Sequence, residues 1–198
     1  MSSQSEENDE RIQYLLDQQK KIHEVMFYCE EIYTCRHQLL SRYYAWPGDL
    51  PSQQCNKCDN CLRYLKDNPI LCDINVDVYK MLEVVESVTN FLNNQQKEAS
   101  RQDIMYIFCQ AKNKVVNEKN LSELQIYKDN WPRKIKKQDD ALHLLDWLII
   151  EGLVVCDIIL QKPNPNFSNL VCNLIICGLK DGAIVDAQSR EWKYLLKT

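Results

Sequence analysis

Three cysteines at two-residue gaps, Cys55, Cys58 and Cys61, lie in a stretch from residue 45 to 61 that is rich in Pro, Gly, Ser, Gln and Asn. So few apolar side chains cannot build a core, and something other than burial must order the loop. The spacing lets one small cation reach all three thiols from a tight turn, as in zinc ribbons and knuckles. Zinc takes four ligands in a tetrahedron. Cys35, on the apolar stripe upstream, supplies the fourth sulfur if the loop 36–54 closes. His37 is the alternative, but two residues along a helix it points away from Cys35. The remaining alternative, four merely buried thiols, fits poorly with so polar a loop.

Four thiolates around a divalent ion leave a local charge near minus two, which Arg36, Lys57 and Arg63 are close enough in sequence to offset. The other cysteines of the ten in the chain, Cys29, Cys72, Cys109, Cys156, Cys172 and Cys177, sit in or beside apolar stretches without ligand spacing, and most of them read as core packing. The first ten residues are polar and acidic, unlike a signal peptide, and no apolar run is long enough to span a bilayer. Cysteines in such a chain are expected to stay reduced, in the nucleus or the cytoplasm.

Upstream of the loop, Ile12, Leu15 and Leu16, then Ile22, Val25, Met26 and Cys29, recur at helical steps. A second stripe through Cys35, Leu39, Leu40 and Tyr43 runs to Trp46-Pro47-Gly48, which stops it. Residues 1–10 are expected as a disordered acidic tail and 11–72 as a zinc-binding helical hairpin, with Asn68-Pro69 marking the junction. Helical periodicity resumes through Val78, Met81, Leu82, Val85, Val88 and Leu92. Ser100 and Asp103 form a capping-box pattern that opens a further helix. Ala141, Leu144, Leu145, Leu148 and Ile149 predict a third helix, closed by Gly152.

Two β-rich runs follow, 153–160 and 170–177, around the turn-forming segment QKPNPNFSN. Three helices and a hairpin in this order predict a winged helix over 73–180, with 181–198 as a tail or helix. The fold class expected is thus mainly α with a β-hairpin wing.

The run YCEEIYTCRHQLLSRYYAWPGDLPSQQCNKCDNCL, residues 28–62, resembles the zinc-binding subdomain of RecQ-family DNA helicases. It has the tyrosine-cysteine pair, the cysteine-arginine pair before a leucine-rich helix, and three cysteines ending in CDNC. Looser likeness continues over 76–112 and 137–177. The resemblance implies that Cys35, Cys55, Cys58 and Cys61 hold one structural zinc and that a winged helix follows, the pair forming the RecQ C-terminal region of a 3′-to-5′ helicase in DNA replication, recombination and repair. The chain departs from that family in having no Gly-x-x-x-x-Gly-Lys-Ser/Thr phosphate loop, no acidic metal-binding box and only four glycines. Its C-terminus, KDGAIVDAQSREWKYLLKT, offers no helicase-and-RNase-D module. The chain is therefore expected to be a fragment, truncated product or relic that is inactive as a motor alone, with the motor in a longer or separate chain.

A net charge of -4 leaves DNA contact to a local patch. Arg133, Lys134, Lys136 and Lys137 precede the third helix, where phosphate is favoured, and Lys112 and Lys114 extend the patch. The competing reading is a charge run that solvates a helix end. In RecQ-type winged helices the wing can carry an aromatic wedge that stacks on the terminal base pair, and Phe167 matches that position. Two other functions compete with binding of duplex or forked DNA. One is a protein–protein interaction module, a use winged helices also serve. The other is a regulator reading bases through Gln138, Asp139 or His143.

Overall fold

The computed structural model describes residues 3–46, 48–49, 52–161 and 171–196. Helix α1, Ser3–Glu30, includes most of the stretch expected to be a disordered tail. Nothing in the sequence stops a helix there: no glycine or proline occurs before Pro47, and Gln, Glu, Lys and Leu are good helix formers. A turn at 31–34 leads to α2, Arg36–Tyr44. The cysteine loop leads to α3, Asp59–Asp67, which ends at Asn68 in the left-handed conformation (φ 45°).

The remaining chain builds one apolar core from residues 74 to 192. After strand β1, Ile70–Asp73, helix α4, Asn75–Asn93, buries Val78, Met81, Leu82, Val85, Val88 and Leu92, the stripe its periodicity predicts. Helix α5, Arg101–Phe108, carries the full capping box: the Ser100 hydroxyl accepts from Asp103 N–H (3.2 Å), and the Asp103 carboxylate accepts from Ser100 N–H (2.9 Å). That carboxylate also takes the Lys119 ammonium at 2.6 Å. The polar stretch that follows is not structureless. It folds into α6, Lys114–Glu118, a single 3-10 turn, Leu121–Glu123, and α7, Gln125–Lys128, which bury Val116, Leu121 and Ile126. These segments are too short for periodicity to reveal them.

Helix α8, Gln138–Ile150, buries Ala141, Leu144, Leu145 and Leu148, while Ile149 lies partly buried against the core. It closes as expected, with Gly152 at φ 72° and Leu153 N–H donating to Leu148 C=O at 3.0 Å. Strands β2, Val154–Gln161, and β3, Val171–Leu179, pair antiparallel with a bulge between Val155 and Cys156. An isolated bridge joins Ala99 to Ile176, so backbone just before α5 lies against the hairpin.

The segment 181–198, expected as a tail or helix, holds α9, Ala183–Gln188, and β4, Lys193–Leu196. Ala183, Ala187 and Trp192 are buried in the core. Strand β4 pairs antiparallel with β1, Cys72 opposite Tyr194, so the two ends of this unit meet.

Helix α1 packs on α8, where Phe27 stacks against His143 with ring centroids 4.7 Å apart and planes 13° from parallel. That choice of face overturns part of the stripe read on α1: Ile22 and Val25 are exposed, whereas His23 is buried. Among the described residues no helix is long and apolar enough to cross a membrane.

Candidate metal centre

The polar loop cannot bury itself, yet it closes. The sulfurs of Cys35, Cys55, Cys58 and Cys61 all lie within 4.8 Å of one another. The Cys35–Cys55 separation is 3.5 Å and the Cys55–Cys61 separation 4.0 Å. Four thiolates at zinc distance in a tetrahedron sit about 3.8 Å apart, so the group has the spacing that one zinc ion requires. His37 is exposed on α2 and outside the cluster.

Local backbone explains how the loop reaches this arrangement. Cys35 is the N-cap residue of α2 and Cys58 the N-cap of α3, with Cys61 in the first turn of α3. Three of the four sulfurs therefore sit at helix N-termini, where unpaired N–H groups and the helix dipole favour negative charge. Asn56 takes a left-handed conformation (φ 56°) between the first two loop ligands. Amides point inward at the sulfurs: Cys55 N–H at Cys35 Sγ (3.3 Å), Cys58 N–H at Cys55 Sγ (3.4 Å), and Arg36 and Cys61 N–H at Cys58 Sγ (both 3.5 Å).

The thiols respond to this setting unequally. Burial pushes the Cys35 thiol up, but the N–H groups of Cys55 and Gln38 outweigh it and bring it down to about 6. Burial acts the same way on Cys58, and the amides of Cys61 and Arg36 lower it. Cys61 is pushed up to about 12, first by burial and then by its contacts with the sulfurs of Cys58 and Cys35. Four crowded sulfurs cannot all ionise without a cation among them, and a divalent ion removes that conflict.

The charge offset expected from basic side chains is largely taken up elsewhere. Arg36 forms a two-pronged pair with Asp59 (both contacts 3.2 Å) and also donates to Tyr28 C=O. Arg63 donates to Ile32 C=O at 3.1 Å, and Lys57 is exposed. Backbone amides at two helix starts face the sulfurs instead. Sequence spacing identified the ligands but could not show these amides, because they converge only after the loop closes.

Of the other cysteines, Cys72, Cys109 and Cys156 pack at the edge of the core, as expected. Cys29 and Cys177 are exposed, which corrects the expectation of core packing, and the Cys172 side chain lies outside the described residues. Cys29 is at the last turn of α1, and Cys177 lies next to the bulged pairing of the hairpin, where the strand turns it outward.

The basic residues divide into two groups. Arg133 points inward, donating to Phe108 C=O at 2.8 Å and to the Gln110 side chain at 3.0 Å, with its guanidinium over the Trp131 ring. Lys134 donates to Asp73 C=O. The buried Asp77 carboxylate accepts the N–H groups of Lys134 and Ile135, each at 3.1 Å, and so ties this segment to α4. Lys136 and Lys137 are exposed at the start of α8, with no ion pair among the described residues. Lys112 is exposed, and Lys114 pairs with Glu118 at 3.2 Å. Phe167 lies outside the described residues. Gln138 and Asp139 are exposed on the first turn of α8, but His143 is buried against Phe27, so it cannot read a base edge.

Residues 1–62 match the family model described as RecQ zinc-binding. That stretch is a RecQ zinc-binding domain, and its four-cysteine cluster fits one structural zinc ion. No curated protein matches the chain.

Proposed function

We propose that this chain is the DNA-binding zinc and winged-helix portion of a RecQ-type 3′-to-5′ helicase, engaging duplex or forked DNA and assisting strand separation during replication, recombination and repair. The observation that carries this reading is the four-sulfur site within a RecQ zinc-binding match, followed along the chain by helix, bridge, helix, helix and hairpin. The unit from 73 to 180 is read as the winged helix, with α8 as its recognition helix and the β2–β3 hairpin as its wing. Lys136 and Lys137, exposed at the start of α8, are the phosphate contacts, and the exposed Lys112 and Lys114 extend the patch. Arg133 and Lys134 shape that segment through their inward hydrogen bonds. Phe167 is the wedge. ATP hydrolysis belongs to a motor in a longer or separate chain.

Binding to forked and blunt duplex over a salt series tests the proposal. Lys136→Ala is expected to weaken binding to both substrates and to reduce the salt slope by about one unit. Phe167→Ala is expected to spare duplex affinity and lower fork preference, through loss of roughly 1–3 kcal/mol of base stacking. Equal loss on both substrates would overturn the wedge. Absence of salt-sensitive binding would overturn the DNA reading.

A second reading, a protein-interaction module, is favoured by one observation. Tyr43, Tyr44 and Trp46 around the end of α2 and Leu65 on α3 are 62%, 71%, 77% and 70% exposed. Tyr43 and Tyr44 pack edge to face with ring centroids 5.0 Å apart, and adjacent exposed apolar side chains are a common mark of protein contact. In this reading the chain works without a motor and binds a protein partner.

A further inference from the structure

We infer that Asn60 is a positioning residue for the metal centre, holding the turn that delivers Cys35 to the other three sulfurs. Asn60 is fully buried. Its side-chain amide donates to Glu31 C=O and to Thr34 C=O, both at 2.8 Å, and its carbonyl oxygen accepts from Arg63 at 3.3 Å. Every polar atom of the side chain is therefore used. A buried amide deprived of such partners is costly, so this is a specific latch between α3 and the turn.

Two further bonds tie the turn to α3, Arg63 to Ile32 C=O at 3.1 Å and the Tyr33 hydroxyl to Asp67 at 3.2 Å, but each involves a partly exposed side chain, Arg63 or Asp67, whereas Asn60 is fully buried and bonds both ends of the turn. The Glu31 carboxylate accepts the N–H groups of Tyr33 (2.9 Å) and Thr34 (3.0 Å), which folds the turn on itself locally. Asn60 then fixes that folded turn to α3, whose first turn carries Cys61 and whose N-cap is Cys58. Cys35 follows Thr34 directly and starts α2. Three ligands thus lie on the α3 side, one lies on the turn side, and Asn60 joins the two sides one residue from a ligand. Loss of this amide leaves the 55–61 ligands in place and loosens the hold on the fourth, which then rests on the Arg36–Asp59 pair, the Arg63 bond to Ile32 C=O and the Tyr33 bond to Asp67.

Groups that orient metal ligands typically contribute 10- to 100-fold in affinity. For Asn60→Ala in the full chain, the expected result is a fall of roughly that size in zinc affinity, read by competition with a chromogenic chelator. Alkylation of the zinc-loaded chain, mapped by mass spectrometry, is expected to label Cys35 well before Cys55, Cys58 or Cys61. A merely structural residue would not produce that asymmetry. Asn60→Asp retains the volume and the Arg63 contact but has no N–H to donate, and it is expected to behave like Asn60→Ala.

The inference is overturned by unchanged zinc affinity with all four cysteines equally protected. It is also overturned if both variants abolish the melting transition of the 74–192 core, which would make Asn60 a general folding determinant. A wild-type chain that fails to take up zinc would overturn it together with the site itself.

Discussion

At the scale of single residues, proton balance distinguishes the sulfurs. The amides that face Cys35 draw its thiol down, whereas burial and neighbouring sulfurs push Cys61 up, so the crowded cluster keeps a proton on the Cys61 side until a cation arrives. Zinc binds thiolates, so loading the site near neutral pH must expel the Cys61 proton. Calorimetric titration with zinc in buffers of different ionisation enthalpy should therefore give apparent enthalpies that change with buffer, with the sign of net proton release; buffer independence would contradict the assignment. In the loaded state zinc holds the ligand pKa values below those of the unfolded thiols. The stability it supplies is present above the unfolded thiol range and is lost as pH falls through the loaded-state values. The four ligands were legible in the sequence because their spacing is local. Asn60 and the amides of Arg36 and Cys55 were not, since their partners, Glu31 and Thr34, Cys58, and Cys35, lie twenty or more residues away across the loop.

At the scale of elements, local signals carried far where they were complete. The Ser100–Asp103 box and the stripes of α4 and α8 each combine a start signal or a period with burial of the predicted face. Ser100→Ala removes the acceptor for Asp103 N–H, and it is expected to cost about 1 kcal/mol, seen as a fall of a few degrees in the melting point of the C-terminal core. An unchanged melting point would mean that the Lys119–Asp103 pair alone secures the start of α5. Periodicity failed in two places. On α1 it located the helix but not its buried face, because packing of Phe27 against His143 decides the rotation. Between 113 and 128 the helices are four or five residues long, below the window in which a period can be recognised.

At the scale of the whole molecule, two units of different origin of stability share one chain. The C-terminal unit has an apolar core that reaches Trp192 and is closed by pairing of β1 with β4, a contact across more than a hundred residues that no local pattern announces. Among the described residues the zinc unit has no comparable core: α2 buries none of its side chains, and Tyr44 and Trp46 face outward. Metal ligation must then supply much of the folding free energy of residues 31–67, whereas hydrophobic burial supplies that of 74–192. The most direct test is metal analysis of the purified, reduced chain, followed by circular dichroism melting with and without a strong chelator. The expected result is one zinc per chain, with chelation abolishing the order of the N-terminal unit while the C-terminal transition persists. A chain without stoichiometric metal, or one whose melting is the same after chelation, would contradict the account.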